Sequence, residues 1–439
     1  MGEVGISDEM NIHIPQSPEA IAECMILMRA AIHIVTGQRN GPVDGPVQDA
    51  LVGMYMLTNT WSGENPDTMV SKENYFQMIH ASGITQERSN RLMKRAEKYY
   101  PDYVKNGKII SREIPGKLAS SILLPTNFTY KKKLDTCLLA PIVSIKDGVI
   151  EPISGPLCVK AIGAKQCSIL HLLWKDYSPE IALRFISEVQ QMSNRWLPIN
   201  GFSVGISDFL PKSKEDVAKA IVDAQTKVAE IIKVSGDTPE AEREINEVLN
   251  NTMNVGLTMG KQGMVKDDRN GMNIMRLSGA KGSIINLAQI AGLVGQQNVN
   301  GARIPLTLSG GTRALPHYYF GDNSPEARGF VFNSYVSALT PQEFYFHAES
   351  GRQGIIATAV KTADTGYIQK RMCKKVEDYS IWIDGSVRDA NGRIIQFLYG
   401  DDGMDPKKIY NVEGVAFPFF INCENIANML NSDFEQNIA

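Results

Sequence analysis

LTPQEFYFHAESGRQGIIATAVKTADTGYIQKRMCKKVED, from Leu339 to Asp378, is the stretch whose reading decides the fold. Thr340 is placed to cap a helix, Pro341 takes its first position, and Glu343 follows three residues after the cap. That is a capping box, with proline where a missing N–H costs nothing. The next proline is Pro406, so one helix of roughly 35 residues and about 50 Å is predicted. At about 100° per residue, Arg352, Ala359, Ala363, Gly366 and Lys370 share one side. The large apolar residues Phe344, Phe346, Ile355, Val360, Tyr367 and Met372 spread around the cylinder without forming a stripe. Gly351, Gly354 and Gly366 each cost about 1 kcal/mol against alanine inside a helix, which points to a packing or bending role. Two readings stay open on these grounds. One is a core helix whose glycines allow close packing; the other is a basic, bendable rod whose backbone a large anion can approach.

Composition narrows the classes. A chain of 439 residues predicts roughly two to four domains. Its 43% hydrophobic and 21% charged content describes a globular chain able to bury a large core. The net charge of −3 carries no global basic signature, so any nucleic-acid contact is local or comes through partner chains. The six cysteines form no CxxC pair, which predicts no zinc site and buried free thiols in a reducing compartment. The histidines show no HExxH spacing, and His347 reads as a packing or hydrogen-bonding residue. No serine, histidine and acid set suggests a triad. No run of about 20 apolar residues and no signal peptide occur, so the expectation is an intracellular chain with no membrane partner.

The stretch from Leu339 to Met372 resembles the bridge helix of the largest subunit of multisubunit, DNA-directed RNA polymerases. It is nearest to the eukaryotic RNA polymerase II type and its relatives in large DNA viruses. The resemblance implies that Thr362, Ala363 and Tyr367 lie against the template base and the RNA–DNA hybrid. It likewise implies that Lys361, Lys370 and Arg371 meet phosphate, and that no residue of the helix is itself a catalytic acid or base. DEMNIHIPQS, residues 8–17, resembles the end of that family's magnesium loop, in which three aspartates alternate with other residues. Only the last is present, as Asp8, while Val4 and Ile6 stand where the other two belong. By resemblance Asp8 is a partial Mg2+ site completed by segments absent from this chain; read alone, it is a solvated acid near a terminus.

Other blocks carry the same resemblance. PVDGPVQDALVGMYMLT (42–58) is similar to the passage into the pore, NGFSVGISD (200–208) to the entry into the funnel, and FLYGDDGMDP (397–406) to the exit into the cleft. Asp401-Asp402 reads as a turn rather than a metal site. SGAKGSIINLAQ, from Ser278, invites a P-loop reading, which fails because Gly-Lys-Ser/Thr is absent and the preceding segment reads as helix. Gly279 and Gly282 then read as a tight turn.

The expected fold class is α+β and multidomain, mostly helical, with a long cleft-spanning helix, a helical-hairpin funnel and small antiparallel β elements. The expected boundaries are 1–36 for the tail of the active-site region and 37–200 for the pore. The funnel is expected over 201–324, and the bridge helix with the start of the cleft over 325–439. Within these, helices are predicted over Ser17–Val35, 47–58, Asn74–Ala81, Thr85–Tyr99 and Pro179–Leu197. Gln48 and Asp49 are expected to cap and orient a first helical turn. Asp147-Gly148 and Asn391-Gly392 read as hairpin turns, and Lys131–Lys133 as a solvated loop. Between Lys212 and Asn250 the pattern predicts a charged, solvated helical hairpin restarted by Thr238 and Pro239.

The function implied by the resemblance is nucleotidyl transfer, in which the RNA 3′ hydroxyl attacks the α-phosphate of a nucleoside triphosphate under two magnesium ions. The implied partners are the second-largest and other polymerase subunits and the remaining segments of the largest subunit. DNA template, RNA transcript, nucleoside triphosphates and a transcript-cleavage factor at the funnel complete the set. The chain alone is expected to be inactive. A split gene, an intron or intein at the magnesium loop, or a truncated gene would each give such a chain, with Met1–Ser7 then foreign to the polymerase. The rival reading is a non-catalytic scaffold that binds polymerase partners or DNA. The expected location is nucleus or cytoplasm, or a virus factory or virion for a viral protein.

Overall fold

The computed structural model describes residues 12–37, 40–62, 67–134, 140–210, 215–236, 238–264, 269–398, 409–412, 415–418, 427 and 431. The fold is mixed α+β, with helices joined by antiparallel ladders of two or three strands. It divides into two compact units, Met1–Ser350 and Gly351–Ala439.

The first unit is built on the helix Asp49–Thr58, which is buried along nearly its whole length and packs on the helix Pro179–Asn200. Gly53 makes that approach possible: a Cβ there would lie 2.7 Å from Ser193 Cβ. Ser193 Oγ then donates to the Ala50 carbonyl at 3.1 Å, so a small residue and a hydroxyl replace what would be a steric clash. Gln48 stands at the N-cap with φ 45°, but its side chain makes no cap bond. Its expected orienting role is therefore carried by backbone geometry alone.

Two local expectations fail here. Ser17–Val35 is two helices, Pro18–Ile26 and Ala30–His33, with Arg29 extended between them. The first helix buries nothing. The break turns Ala31 and Ile34 into the core, where Trp174 Nε1 donates to the Ala31 carbonyl at 3.0 Å and Arg29 pairs with Glu180 at 2.6 Å. A distant tryptophan outweighs the local helical period. Lys131–Lys133, expected as a loop, belong instead to the strand Tyr130–Lys133, paired antiparallel with Ile142–Lys146. Tyr130 and Leu134 are buried at its two ends, so the ladder holds the lysines in place at a sheet edge, where lysine discourages further pairing. The turn to the third strand, Val149–Ile150, is Asp147-Gly148 with φ 53° and 69°, as the sequence predicts. A Cβ on Gly148 would meet the Pro125 carbonyl oxygen at 2.0 Å.

The helical hairpin is Glu215–Ser235 and Pro239–Met264. Thr238 Oγ1 caps the second helix, accepting from Ala241 N at 3.2 Å. It is not simply solvated. Val228, Ile245 and Leu249 are buried against Leu293 and Phe330, and the buried Arg303 grips both oxygens of Glu242 at 2.7 and 2.6 Å. Gly279 and Gly282 have φ 79° and 76°, the tight turn expected between the helices Gly271–Ser278 and Ile284–Ala291.

The second unit carries a three-stranded antiparallel sheet, Ser380–Ile381, Val387–Arg388 and Ile394–Gln396. Its Asn391-Gly392 turn is held by Asp389, whose Oδ1 accepts from Asn391 N at 3.0 Å and Arg393 N at 2.9 Å. Ile409–Val412 and Val415–Pro418 pair antiparallel.

Candidate nucleic-acid interface

The long helix runs from Pro341 to Val376, 36 residues in all. Its start is the predicted capping box: Glu343 N donates to Thr340 Oγ1 at 3.3 Å, and Thr340 N to Glu343 Oε2 at 2.8 Å. Glu343 does more than cap. Its carboxylate also accepts from Phe332 N at 2.8 Å, Asn333 N at 3.2 Å and Asn333 Nδ2 at 2.9 Å. Burial pushes this carboxyl up, but the donors of Asn333, Thr340 and Phe332 outweigh it and hold Glu343 below the usual glutamate range.

The next turns are moored as firmly. Phe346 is buried among Ile304, Ala314 and Leu315 and stacks on Tyr318 with ring centroids 6.1 Å apart. His347 bonds Tyr335 Oη at 2.9 Å and Gln297 Oε1 at 3.0 Å, the hydrogen-bonding role expected of it. Ser350 Oγ donates to the Asn298 carbonyl at 2.8 Å.

From Gly351 to Val376 the character changes. Every residue is exposed except Gln353 and Ala357, which are half-buried. A Cβ built on Gly351, Gly354 or Gly366 would find nothing within 4 Å. Among the described residues the glycines make no close packing, which does not support the core-helix reading for this part of the helix. Arg352, Lys361, Lys370, Arg371, Lys374 and Lys375 stand against a single acid, Asp364. Such a local cationic excess attracts a polyanion.

The six residues singled out in the sequence do not share one face. Taking about 100° per residue, Ala363 and Lys370 lie within about 20° of each other, with Tyr367 about 40° and Arg371 about 80° from Ala363. Thr362 is about 100° and Lys361 about 160° away from Ala363. The cluster that coincides is thus Ala363, Tyr367, Lys370 and Arg371, extended by Arg352, Ala359 and Gly366.

Two details lay outside the sequence reading. The Arg371 guanidinium lies 4.8 Å from the Tyr367 ring centroid, a cation–π pair that the spacing of four already signals. Thr358, Thr362 and Thr365 turn their hydroxyls back onto the carbonyls of Gly354, Thr358 and Lys361, at 2.9, 2.6 and 2.7 Å. Their donor protons are spent on the helix, which such bonds tend to bend. Thr362 therefore offers an approaching ligand its methyl group and a lone pair.

Among the described residues, no three of histidine, cysteine, aspartate or glutamate gather to hold a metal ion. Asp8, assigned to magnesium by resemblance, and Asp401-Asp402 lie outside the described residues. The described residues by themselves do not fit magnesium.

Comparison with known proteins adds independent findings. The family model described as RNA polymerase Rpb1, domain 3, matches residues 33–209. Those for domains 4 and 5 match residues 222–331 and 338–430. DNA-directed RNA polymerase subunit Rpo1N of Methanocaldococcus jannaschii is 35% identical over 428 residues, an alignment covering 91% of this chain and 30% of that relative. The chain thus spans under a third of the relative's length.

Proposed function

Because this chain belongs to the largest-subunit (Rpb1) family of DNA-directed RNA polymerases, we propose that it forms the pore, funnel and bridge-helix part of a transcribing enzyme. The activity it serves is template-directed addition of nucleoside triphosphates to the RNA 3′ end. In this reading Ala363 and Tyr367 meet the template base and hybrid, Thr362 borders them, and Lys370, Arg371 and Lys361 neutralise phosphates. The proposed boundaries are 1–36, 37–200, 201–324 and 325–439, and the proposed partners are the second-largest subunit, the other polymerase subunits, DNA and RNA. The proposed setting is intracellular.

The single observation that carries the reading is the exposure of Gly351–Val376, basic and glycine-bearing, in a helix whose first turns are anchored. Small residues let an extended anion come close to the backbone, and the flanking cations repay the desolvation of its phosphates. No step of the chemistry is assigned to a metal held by the described residues.

The test is elongation on a primed RNA–DNA scaffold. The purified chain alone is expected to extend nothing, while an enzyme assembled with the companion subunits extends the primer and loses extension on Ala363→Leu. Extension by the chain alone, or normal extension by the assembled variant, would refute the assignment.

A further inference from the structure

A cavity of about 350 Å³ opens in the first unit between the helix Gln86–Ala96, the segment 122–126 and the helix Pro179–Asn200. Four guanidinium groups line it: Arg88, Arg91, Arg95 and Arg184. The first three follow at intervals of three and four along one helix, so they share a face. Like charges brought together in a concave surface repel, and something must balance them.

The intramolecular acids balance them only in part. Glu188 Oε1 takes Arg88 at 2.6 Å and lies 3.5 Å from Arg184 Nε, so one buried carboxylate serves two cations. Glu87 pairs with Arg91 at 2.7 Å, both side chains well exposed, a weak and screened contact. Arg95 Nε donates to the neutral Asp147 carbonyl at 3.0 Å. The Asp147 carboxylate is itself engaged by Tyr99 Oη at 2.7 Å and Lys98 Nζ at 3.9 Å. Burial, joined by Arg88 and Arg91, pushes the Arg95 guanidinium below its ordinary range, with Asp147 pulling the other way. Among the described residues no carboxylate lines the cavity, and Leu92, Ile122, Leu124 and Pro125 contribute an apolar part of its lining.

We propose that this cavity binds a phosphomonoester carrying an apolar or aromatic body, its dianionic phosphate on Arg91 and Arg95 and its body against the apolar lining from Leu92, Ile122, Leu124 and Pro125. A guanidinium fork matches two phosphate oxygens at once, and a dianion answers the positive charge that Glu188 and Glu87 leave over. The volume lies within the range of small-molecule pockets. This site is separate from the long helix and does not depend on the polymerase reading.

Calorimetric titration of the full chain with phenyl phosphate, inorganic phosphate and penta-glutamate tests the proposal. Phenyl phosphate is expected to bind saturably, about tenfold tighter than inorganic phosphate because its ring is buried. Arg95→Gln and Arg91→Gln are each expected to weaken it by about tenfold, at unchanged melting temperature, while Lys98→Gln leaves it within about twofold. Arg91 is exposed, so its variant remains informative even where Arg95→Gln fails to fold. Equal affinity for phosphate and phenyl phosphate, or unaltered affinity in the folded arginine variants, would overturn the proposal. Preference for penta-glutamate would overturn it in favour of an acidic segment of a partner protein, and absence of binding by any probe would overturn it outright.

Discussion

Between Pro341 and Ser350 the long helix buries Glu343 and Phe346 and ties His347 and Ser350 to Gln297 and Asn298. Between Gly351 and Val376 all side chains but two are exposed, and the three glycines face open space. The same helix, with one period and one backbone, thus obeys two constraints. In the first part Glu343, Phe346, His347 and Ser350 are fixed by what they touch in their own chain, while Phe344 and Tyr345 stay exposed. In the second, three glycines costly to a helix persist without close packing among the described residues.

Substitutions should break or sharpen that contrast. Phe346→Ala, which empties a stacked and fully enclosed site, is expected to destabilise the chain by about 3–5 kcal/mol, read as a fall in denaturation midpoint. A loss below about 1 kcal/mol would mean that the mooring is not built on this ring. Glu343→Gln should cost about 1–3 kcal/mol, because an amide nitrogen cannot accept from the buried N–H groups left behind.

Glu343 also sets a pH dependence. Its folded-state value lies below the unfolded one. Its stabilisation is therefore complete above the ordinary glutamate pKa of about 4.3 and is lost as pH falls through the lower folded value. Melting curves across that acid range should fall less steeply for Glu343→Gln than for the natural chain. Parallel slopes would remove Glu343 from the acid response.

The exposed part should behave in the opposite sense. Gly366→Ala is expected to raise stability by about 0.5–1 kcal/mol, since the added methyl meets nothing and the helix gains propensity. In the assembled enzyme the same methyl should slow elongation, and unchanged elongation would mean that no ligand approaches there. Smallest of all is the stability effect of Ala363→Leu, expected within about 0.5 kcal/mol. A loss of about 1–3 kcal/mol by overpacking would return Ala363 to a core.

Much of the local structure was legible. Thr340, Pro341 and Glu343 announce the capping box, Asp147-Gly148 and Asn391-Gly392 announce their turns, and Thr238-Pro239 announces the second hairpin helix. Each of these signals is completed by partners within a few residues, so the information is contained in the local spacing. Family membership was legible for the same reason, in the long ungapped run through the helix.

What lay beyond reach depended on residues far apart in the chain. The break at Arg29 depends on Trp174 and Glu180, and the strand at Lys131–Lys133 depends on Ile142–Lys146. The arginine cavity needs Arg184 and Ile122 to face the helix Gln86–Ala96, of which the sequence predicted only that it is a helix. In the candidate interface the sequence identified a basic helix with small residues, but not that Glu343 and Phe346 are held by Asn333 and Tyr318 while Ala363 is exposed. Hydrogen-bond chemistry and helical period act over a few residues and can be read directly from the order of the amino acids. Burial is a property of surfaces that meet only when the chain has folded, so only the tertiary structure separated the anchored turns from the exposed ones.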